Sequence, residues 1–181
     1  MGTTSFNQDY FALFDLPRRY ALDGSLLHER YRALQRATHP DSHAGGSDQA
    51  KRLAVQLAAR VNEAYRVLKD PLLRARYWLE LHGVALNDEA QTVRDGAFLM
   101  AQMDLRERLG ELKQTFSEQD ARALAAEIKH QLAALQDELA RALGDDSKQE
   151  KMTHAQGLIA KAQFFTKLQS ELDEISLFRA E

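Results

Sequence analysis

The chain has 181 residues, of which 44% are hydrophobic, so it is long enough for one or two small domains with packed cores. It contains no cysteine, which excludes disulfide bonds, thiol catalysis and thiolate metal sites. The net charge of −3 is unevenly divided: residues 1–80 hold 12 basic and 9 acidic side chains (+3), and residues 81–181 hold 12 and 18 (−6). The chain is too weakly basic for a nucleic-acid binder, and its two halves are suited to different partners.

The N-terminal residues do not match a targeting segment. No Lys or Arg precedes Arg18, and Asp9 and Asp15 are acidic, which fits neither a secretory signal nor a transit peptide. No uninterrupted apolar run approaches membrane-spanning length. We therefore expect a soluble, cytoplasmic protein that does not associate with membranes.

Four helices are predicted in the first half of the chain. A short aromatic-rich helix spans 8–16 and ends at Pro17; the next spans 23–38, with Asp23 as its N-cap. The third spans 51–69, and the fourth spans 71–81 and closes at His82-Gly83. The second and third helices carry facing apolar stripes, which predict an antiparallel hairpin. These stripes are Leu27, Tyr31 and Leu34 on one helix, and Leu57, Val61, Ala64, Tyr65 and Leu68 on the other.

Three longer helices are predicted after a short connector at 84–87. They span 88–112, 117–143 and 147–179, and the breaks between them fall at Phe116-Ser117 and Gly144-Asp145-Asp146. The middle helix has a one-sided apolar stripe, which is typical of an antiparallel three-helix bundle. Its members are Leu124, Ile128, Leu132, Leu135 and Leu139. The predicted fold is therefore all-α, with domains at 8–83 and 88–179.

The triplet His39-Pro40-Asp41 lies between the two helices of the predicted hairpin. Pro40 cannot extend a helix and pushes His39 out of the α region, so both polar side chains should face water. Taken alone, His39 and Asp41 are better explained by ordinary loop chemistry, in which the carboxylate of Asp41 bonds local backbone N–H groups.

In its context, the triplet resembles the HPD loop of the J-domain, which docks on a DnaK-type chaperone and triggers ATP hydrolysis. Asp9-Tyr10-Phe11-Ala12-Leu13-Phe14 upstream and Val61-Asn62-Glu63-Ala64-Tyr65-Arg66-Val67-Leu68 downstream agree with that family in order and spacing. The resemblance implies a carboxylate of Asp41 that bonds an Arg of the chaperone, presented by His39 and Pro40. Ser42 stands where J-domains usually have Lys. The implied chaperone-binding residues are His39, Pro40, Asp41, Tyr31, Arg32 and Arg36.

The arginines of the second helix have two interpretations. Arg30, Arg32 and Arg36 would supply positive potential that steers an acidic chaperone surface. Any one of them is also consistent with an ordinary solvated helix face.

The helix predicted at 88–112 has a second apolar stripe that does not join its core stripe. Leu99, Met100 and Met103 lie off the core face, and Asp104 and Glu107 continue this stripe. Periodicity alone allows packing of the bundle against the N-terminal domain at this stripe, or burial of the helix on two sides, as well as an exposed patch that binds a partner. The core stripe is formed by Phe98, Ala101, Leu105, Leu109 and Leu112.

Residues 92–100, Thr-Val-Arg-Asp-Gly-Ala-Phe-Leu-Met, resemble the signature of the C-terminal domain of HscB-type J-proteins, which act in iron–sulfur cluster assembly. In that family, matching positions bind the scaffold protein IscU, which favours the exposed patch. Met103 and Asp104 stand where Leu and Glu are common. Phe164 lies at the edge of the core stripe of the last helix and would be assigned to the core without the resemblance. The implied scaffold-binding residues are Leu99, Met100, Met103, Asp104, Glu107 and Phe164.

The resemblance implies an L-shaped, monomeric co-chaperone without a cofactor. It would bind IscU, deliver it to the DnaK-type chaperone HscA and stimulate the ATPase of that chaperone, which promotes cluster transfer. The lack of cysteine argues against direct ligation of a cluster by thiolates.

Two other classes of function compete with this interpretation. His39, Asp41 and His43 alternate in a way that could ligate a metal in a hydrolase, although Pro40 and the following glycines preorganise such a site poorly. A purely structural helical scaffold would explain the C-terminal half but not the hairpin with its triplet. Since the sequence has no phosphate-binding loop, nucleophile elbow or paired catalytic carboxylates, we do not expect an enzyme.

Overall fold

The computed structural model describes residues 8–38, 47–86, 95–144 and 149–178. Its ordered elements in these ranges are helices without any strand, which confirms the predicted all-α class. None of these helices combines the length and apolar character that crossing a membrane requires. The helices are α1 (Tyr10–Leu13), α2 (Gly24–Ala37), α3 (Asp48–Lys69), α4 (Pro71–Leu81), α5 (Gly96–Gln114), α6 (Glu118–Ala142) and α7 (Gln149–Phe178).

Residue contacts divide the chain into two compact units. One ends at Trp78 and the other begins at Leu79, so the division falls inside α4. The domain limits predicted from the sequence, 8–83 and 88–179, place the boundary after α4 and remain a proposal.

Six of the described helices begin at an Asp or Ser whose side-chain oxygen accepts a backbone N–H of the first turn. Asp23 is the N-cap of α2, as predicted, and accepts from Ser25 N at 2.8 Å. Asp70 accepts from Leu72 N at 2.8 Å, which leaves Pro71 at the first helical position, where its missing N–H is harmless. These short polar side chains therefore fix where the helices start. The caps are Asp9, Asp23, Ser47, Asp70, Asp95 and Ser117.

The predicted bounds of the first helix, 8–16 with a stop at Pro17, are wrong. The helix ends at Leu13, because Asp15 adopts a left-handed conformation with φ of 52°. The N–H of Leu16 then donates to Phe11 O at 2.9 Å, and the N–H of Asp15 donates to Ala12 O at 3.1 Å. This pair of bonds is a Schellman closure, which completes the helix end before Pro17 is reached.

Two helix starts also differ from prediction. Ser47 caps α3, so that helix begins at Asp48 rather than at residue 51. Asp95 is extended, with φ of −103° and ψ of 90°, and α5 begins at Gly96 rather than at residue 88. Residues 88–94 of the predicted helix lie outside the described residues. The bounds of α2, α4, α6 and α7 agree with prediction to within two residues where they are described.

The first unit packs α1 against α3 and α4. Tyr10 stacks on Tyr77 with ring centroids 4.4 Å apart, and its backbone N–H donates to Tyr77 Oη at 2.9 Å. Arg60 donates to the carbonyl oxygen of Gln8 at 2.5 Å. The N-terminal segment is thus held by directional bonds as well as by burial. The fully buried side chains of this unit include Phe11, Phe14, Leu27 and Leu68.

The second unit contains the predicted three-helix bundle. Arg108 on α5 pairs with Glu127 on α6 at 2.8 Å, and Lys113 on α5 pairs with Glu171 on α7 at 3.5 Å. Ala101, predicted to join the core, is exposed instead: it lies about 60° from Phe98 around α5, at the edge of the stripe, and its methyl group is short. The core is formed by Phe98, Leu105, Leu109, Leu112, Leu124, Ile128, Leu139, Ile159, Phe165, Leu168 and Leu172.

Asp9 predicts a pH dependence of stability. Burial raises the pKa of Asp9, but hydrogen bonds from the Arg18 guanidinium and the Ala12 N–H outweigh it, so the pKa lies below its ordinary value of 3.8. A lowered pKa in the folded state contributes stability above the unfolded pKa, and that contribution is lost as pH falls through the folded pKa.

Asp9→Asn keeps the cap and removes the charge, so we expect a loss of about 0.5 kcal/mol above pH 4 that shrinks as the pH falls through the folded pKa of Asp9. Urea unfolding of both proteins between pH 2 and pH 7 measures this difference. If the difference in free energy of unfolding between the two proteins did not change with pH, the charge of Asp9 would not be the source of the stabilisation.

The two faces of α5 predict opposite responses to truncation. Leu99, Met100 and Met103 are 47%, 74% and 67% exposed, whereas Leu105 is 3% exposed. Replacing the three exposed residues together by Ala should change the free energy of unfolding by less than about 1.5 kcal/mol. The matched substitution Leu105→Ala should cost about 2–5 kcal/mol because it leaves a cavity. Urea unfolding compares them, and a large loss in the triple variant would show that these residues belong to the core.

Candidate functional site

The α2–α3 hairpin is joined by an aromatic and polar cluster. Tyr31 stacks on Tyr65 with centroids 3.9 Å apart and planes 12° apart. The Tyr31 hydroxyl donates to Asn62 Oδ1 at 3.0 Å and accepts from Gln35 Nε2 at 3.0 Å. His28 Nδ1 lies within hydrogen-bond distance of Tyr65 Oη, at 3.0 Å. Tyr31 therefore fixes the two helices together while remaining half-buried.

The basic side chains predicted for chaperone binding lie on the outside of this hairpin. Arg32 and Arg36 are exposed, and neither forms an ion pair with another described residue. Arg30, by contrast, lies 3.4 Å from the carboxylate of Asp15. Arg32 and Arg36 therefore keep their charge available to a partner.

The helix that bears these arginines ends at Ala37, so that one residue, Thr38, lies between it and the HPD triplet. Thr38 is its C-cap, and Thr38 Oγ1 donates to Leu34 O at 2.9 Å. His39, Pro40 and Asp41 themselves lie outside the described residues, as does Ser42. Their proposed roles therefore remain predictions from the sequence.

The second candidate surface is the exposed stripe of α5, formed by Leu99, Met100 and Met103. At about 100° per residue, these side chains centre on the side of α5 opposite to Phe98 and Leu105. The structure thus places them on the exposed side rather than burying α5 on two sides. Three large apolar side chains in solvent on one helix face form a patch suited to covering by another molecule.

Phe164 on α7 borders this stripe and is packed against other side chains. Its ring meets Phe98 edge-on at 5.6 Å and Phe165 at 5.4 Å, and the Arg106 guanidinium lies 5.6 Å from its centroid. Phe98 and Arg106 are about 80° apart around α5, and Leu99 is about 20° further on. Phe164 therefore lies on the Leu99 side of the exposed stripe and is half-buried, between the core and the surface.

The two acidic residues that continue the stripe differ in their surroundings. Asp104 lies 3.7 Å from Arg108, which is bonded more closely to Glu127 at 2.8 Å. The bond to Glu127 raises the pKa of Arg108, so that arginine stays charged between its two acids. Glu107 is exposed and forms no ion pair with any described residue. Of the two acids, Glu107 is the one whose charge is unshared.

Sequence reasoning missed the residues that hold the start of α5 to α7. Asp95 Oδ1 accepts from Phe98 N at 3.0 Å, and its other oxygen, Oδ2, accepts from Lys161 Nζ at 2.6 Å. The bond from Lys161, with that from the Phe98 N–H, lowers the pKa of Asp95. An Asp before an apolar run is a detectable cap signal, but its pairing with Lys161 links residues 66 positions apart.

No metal site is found in the part of the chain that the structure describes, because no three His, Asp or Glu side chains cluster there. The alternative site at His39, Asp41 and His43 lies outside the described residues, so it stays untested. The described residues form two exposed surfaces, one basic and one apolar with acidic residues beside it.

The comparisons with known proteins agree with this architecture. The family model for the HSCB C-terminal oligomerisation domain matches residues 94–173. A co-chaperone protein HscB homolog of Shewanella woodyi is 42% identical over 168 residues, which cover 92% of this chain and 96% of that protein.

Two solved structures extend the likeness to the fold. The chaperone HscB from Vibrio cholerae has a TM-score of 0.76 at 38% identity, with 93% of this chain and 98% of that chain covered. The human co-chaperone protein HscB has a TM-score of 0.84 at 27% identity, with 99% of this chain and 86% of that chain covered. These matches confirm an N-terminal J-domain followed by a C-terminal helical bundle. Since its relatives align over nearly their whole length, the chain belongs to the HscB co-chaperone family.

Proposed function

We propose that this chain is a co-chaperone of iron–sulfur cluster assembly. Its C-terminal bundle binds the scaffold protein IscU, and its J-domain engages the DnaK-type chaperone HscA and stimulates the ATPase of that chaperone. Coupling the two events promotes transfer of the cluster to acceptor proteins. The proposed protein is a cytoplasmic monomer that regulates a partner's ATPase and needs no cofactor of its own. The exposed stripe, within a domain of the HscB family, is the observation that favours this function most.

The exposed stripe supports scaffold binding through its chemistry. Leu99, Met100 and Met103 present apolar surface that gains free energy when a partner covers it. The two methionines have flexible, polarisable side chains that adapt to an irregular partner surface. Phe164 adds an aromatic ring beside the stripe, of the kind that dominates protein interfaces. We assign the binding free energy mainly to these four residues.

The acidic residues beside the stripe are proposed to act on rate and specificity. Glu107 and Asp104 are exposed, so their attraction to a basic partner is screened by water and salt. Such charges accelerate encounter and disfavour acidic partners more than they increase affinity.

The hairpin supports chaperone binding through its charge. Arg32 and Arg36 face solvent on α2, which ends beside the HPD triplet in sequence. A basic face next to the carboxylate of Asp41 is suited to a chaperone surface that offers acids and an arginine. Tyr31 is half-buried, and the part of its ring that remains accessible is assigned to the same contact.

The scaffold-binding surface predicts a selective loss in an ATPase assay. Steady-state ATP hydrolysis by HscA should rise with this protein alone and rise synergistically when IscU is added. Combining Leu99→Ala, Met100→Ala and Phe164→Ala should weaken IscU binding by about 10- to 100-fold, because truncation removes central apolar contacts. Stimulation without IscU should remain, since the J-domain is unchanged.

Leu177→Ala is the matched control for that variant. Leu177 is also apolar and exposed, but it lies 13 residues beyond Phe164 on α7, about 20 Å along the helix. Calorimetric titration with IscU should give wild-type affinity for this control. Synergy that survives the triple substitution would contradict the assignment of the surface.

The HPD triplet predicts that a single substitution abolishes stimulation. His39→Gln should leave the fold intact and reduce stimulation of HscA at least about tenfold, because the geometry that presents Asp41 is lost. The control is His154→Gln, which makes the same chemical change on an exposed position of α7. Circular dichroism verifies folding, and steady-state ATP hydrolysis measures the effect. Full stimulation of the HscA ATPase by His39→Gln would show that the triplet is not needed for the proposed mechanism.

A further inference from the structure

A single carboxylate joins the first turn of α5 to α7. Asp95 uses one oxygen to accept the Phe98 N–H at 3.0 Å and the other to accept Lys161 Nζ at 2.6 Å. The Asp95 carbonyl also accepts the N–H of Leu99 at 2.9 Å. Asp95 is therefore fixed to the backbone of α5, so its bond to Lys161 transmits the position of α7 to that backbone.

Lys161 makes a second contact at the same place. Its Nζ lies 5.2 Å from the ring centroid of Phe98, which is a cation–π geometry. That ring in turn packs edge-on against Phe164, which follows Lys161 by three residues on α7. The ammonium group thus bridges the start of α5 and the ring pair that separates the core from the exposed stripe.

Directional bonds matter here because apolar packing alone fixes the rotation of a helix weakly. The hydrophobic effect is non-directional, and the Phe98, Phe164 and Phe165 rings can tilt against one another. Side chains extend about 5 Å from a helix axis, so a rotation of about 20° moves their ends by about 2 Å. A displacement of that size would change the position of Leu99 relative to Phe164.

We infer that Asp95 and Lys161 are positioning residues for scaffold recognition: their ion pair sets the rotation of α5 so that the exposed stripe and Phe164 form one surface. The inference deepens the proposed function and rests on it. Both side chains are partly exposed, Lys161 by 32% and Asp95 by 39%. A partly exposed pair contributes little to global stability, so its loss should affect affinity more than unfolding.

The test uses the full chain and three substitutions. Lys161→Leu removes the ammonium group, and Asp95→Asn removes the charge but keeps an N-cap side chain. Each should weaken IscU binding by about three- to tenfold, and the double variant should be no weaker than either alone, because both break the same bond. Lys161→Arg should restore binding to within about twofold, since Arg can bond a carboxylate and lie over a ring. The urea midpoint should stay unchanged in all of them.

Lys113→Leu is the matched control. Lys113 also joins α5 to α7, through Glu171 at 3.5 Å, but at the opposite end of α5 from Asp95. This variant should bind IscU like wild type. Wild-type affinity in Lys161→Leu, or additive losses in the double variant, would overturn the inference.

A second readout needs no scaffold and so separates this inference from the proposed function. Methyl NMR signals of Leu99 and Met103 and ring signals of Phe164 should shift in Lys161→Leu and stay in place in Lys113→Leu. Unchanged signals in Lys161→Leu would overturn the positioning role even if IscU binds the wild-type protein. Shifted signals in a protein that does not bind IscU would support the positioning role and refute the proposed function.

Discussion

The C-terminal bundle depends on the burial of α7 over a wide arc. Its buried side chains, Ala160 included, span well over half of the helix circumference, so α7 provides apolar surface to more than one neighbour. Because α7 buries so wide an arc, α5 and α6 each contribute only one apolar stripe to the core. The outer side of α5 is therefore not needed for packing of the bundle. The exposed stripe is free to serve recognition for that reason. The buried side chains of α7 include Ala155, Leu158, Ile159, Ala162, Phe165, Leu168 and Leu172.

The sequence alone was sufficient to predict those helix ends that are specified by a nearby residue. Asp23 at the start of α2 and the Pro71 start of α4 follow from single residues whose chemistry fixes a helix end. The end of α1 was not predictable in the same way, because Asp15 adopts a left-handed conformation that is uncommon for residues other than glycine. Periodicity also placed Ala101 in the core, since it measures angles around a helix and not the reach of a side chain.

The candidate surfaces were predictable to a different extent. Periodicity within α5 separated Leu99 and Met103 from the core, and the structure exposes both. It cannot show which helices face each other, so the place of Phe164 beside the stripe and the bond from Lys161 to Asp95 required tertiary structure. Roles in binding are a further step, because exposure shows that a side chain is available and not what it meets.

The exposed acidic residues Asp104 and Glu107 of α5 differ in how far their charge is already paired. Arg108 lies between Asp104 and Glu127, so a partner's cation that approaches Asp104 meets a carboxylate whose charge is already shared. Glu107, on the same exposed side, has no such competitor among the described residues. Since attraction between exposed charges is weak and falls with salt, the unshared carboxylate should dominate what remains. Under the proposed function, the partner's basic side chains are therefore expected opposite Glu107, and apolar contacts with Leu99, Met103 and Phe164 are expected to supply the affinity.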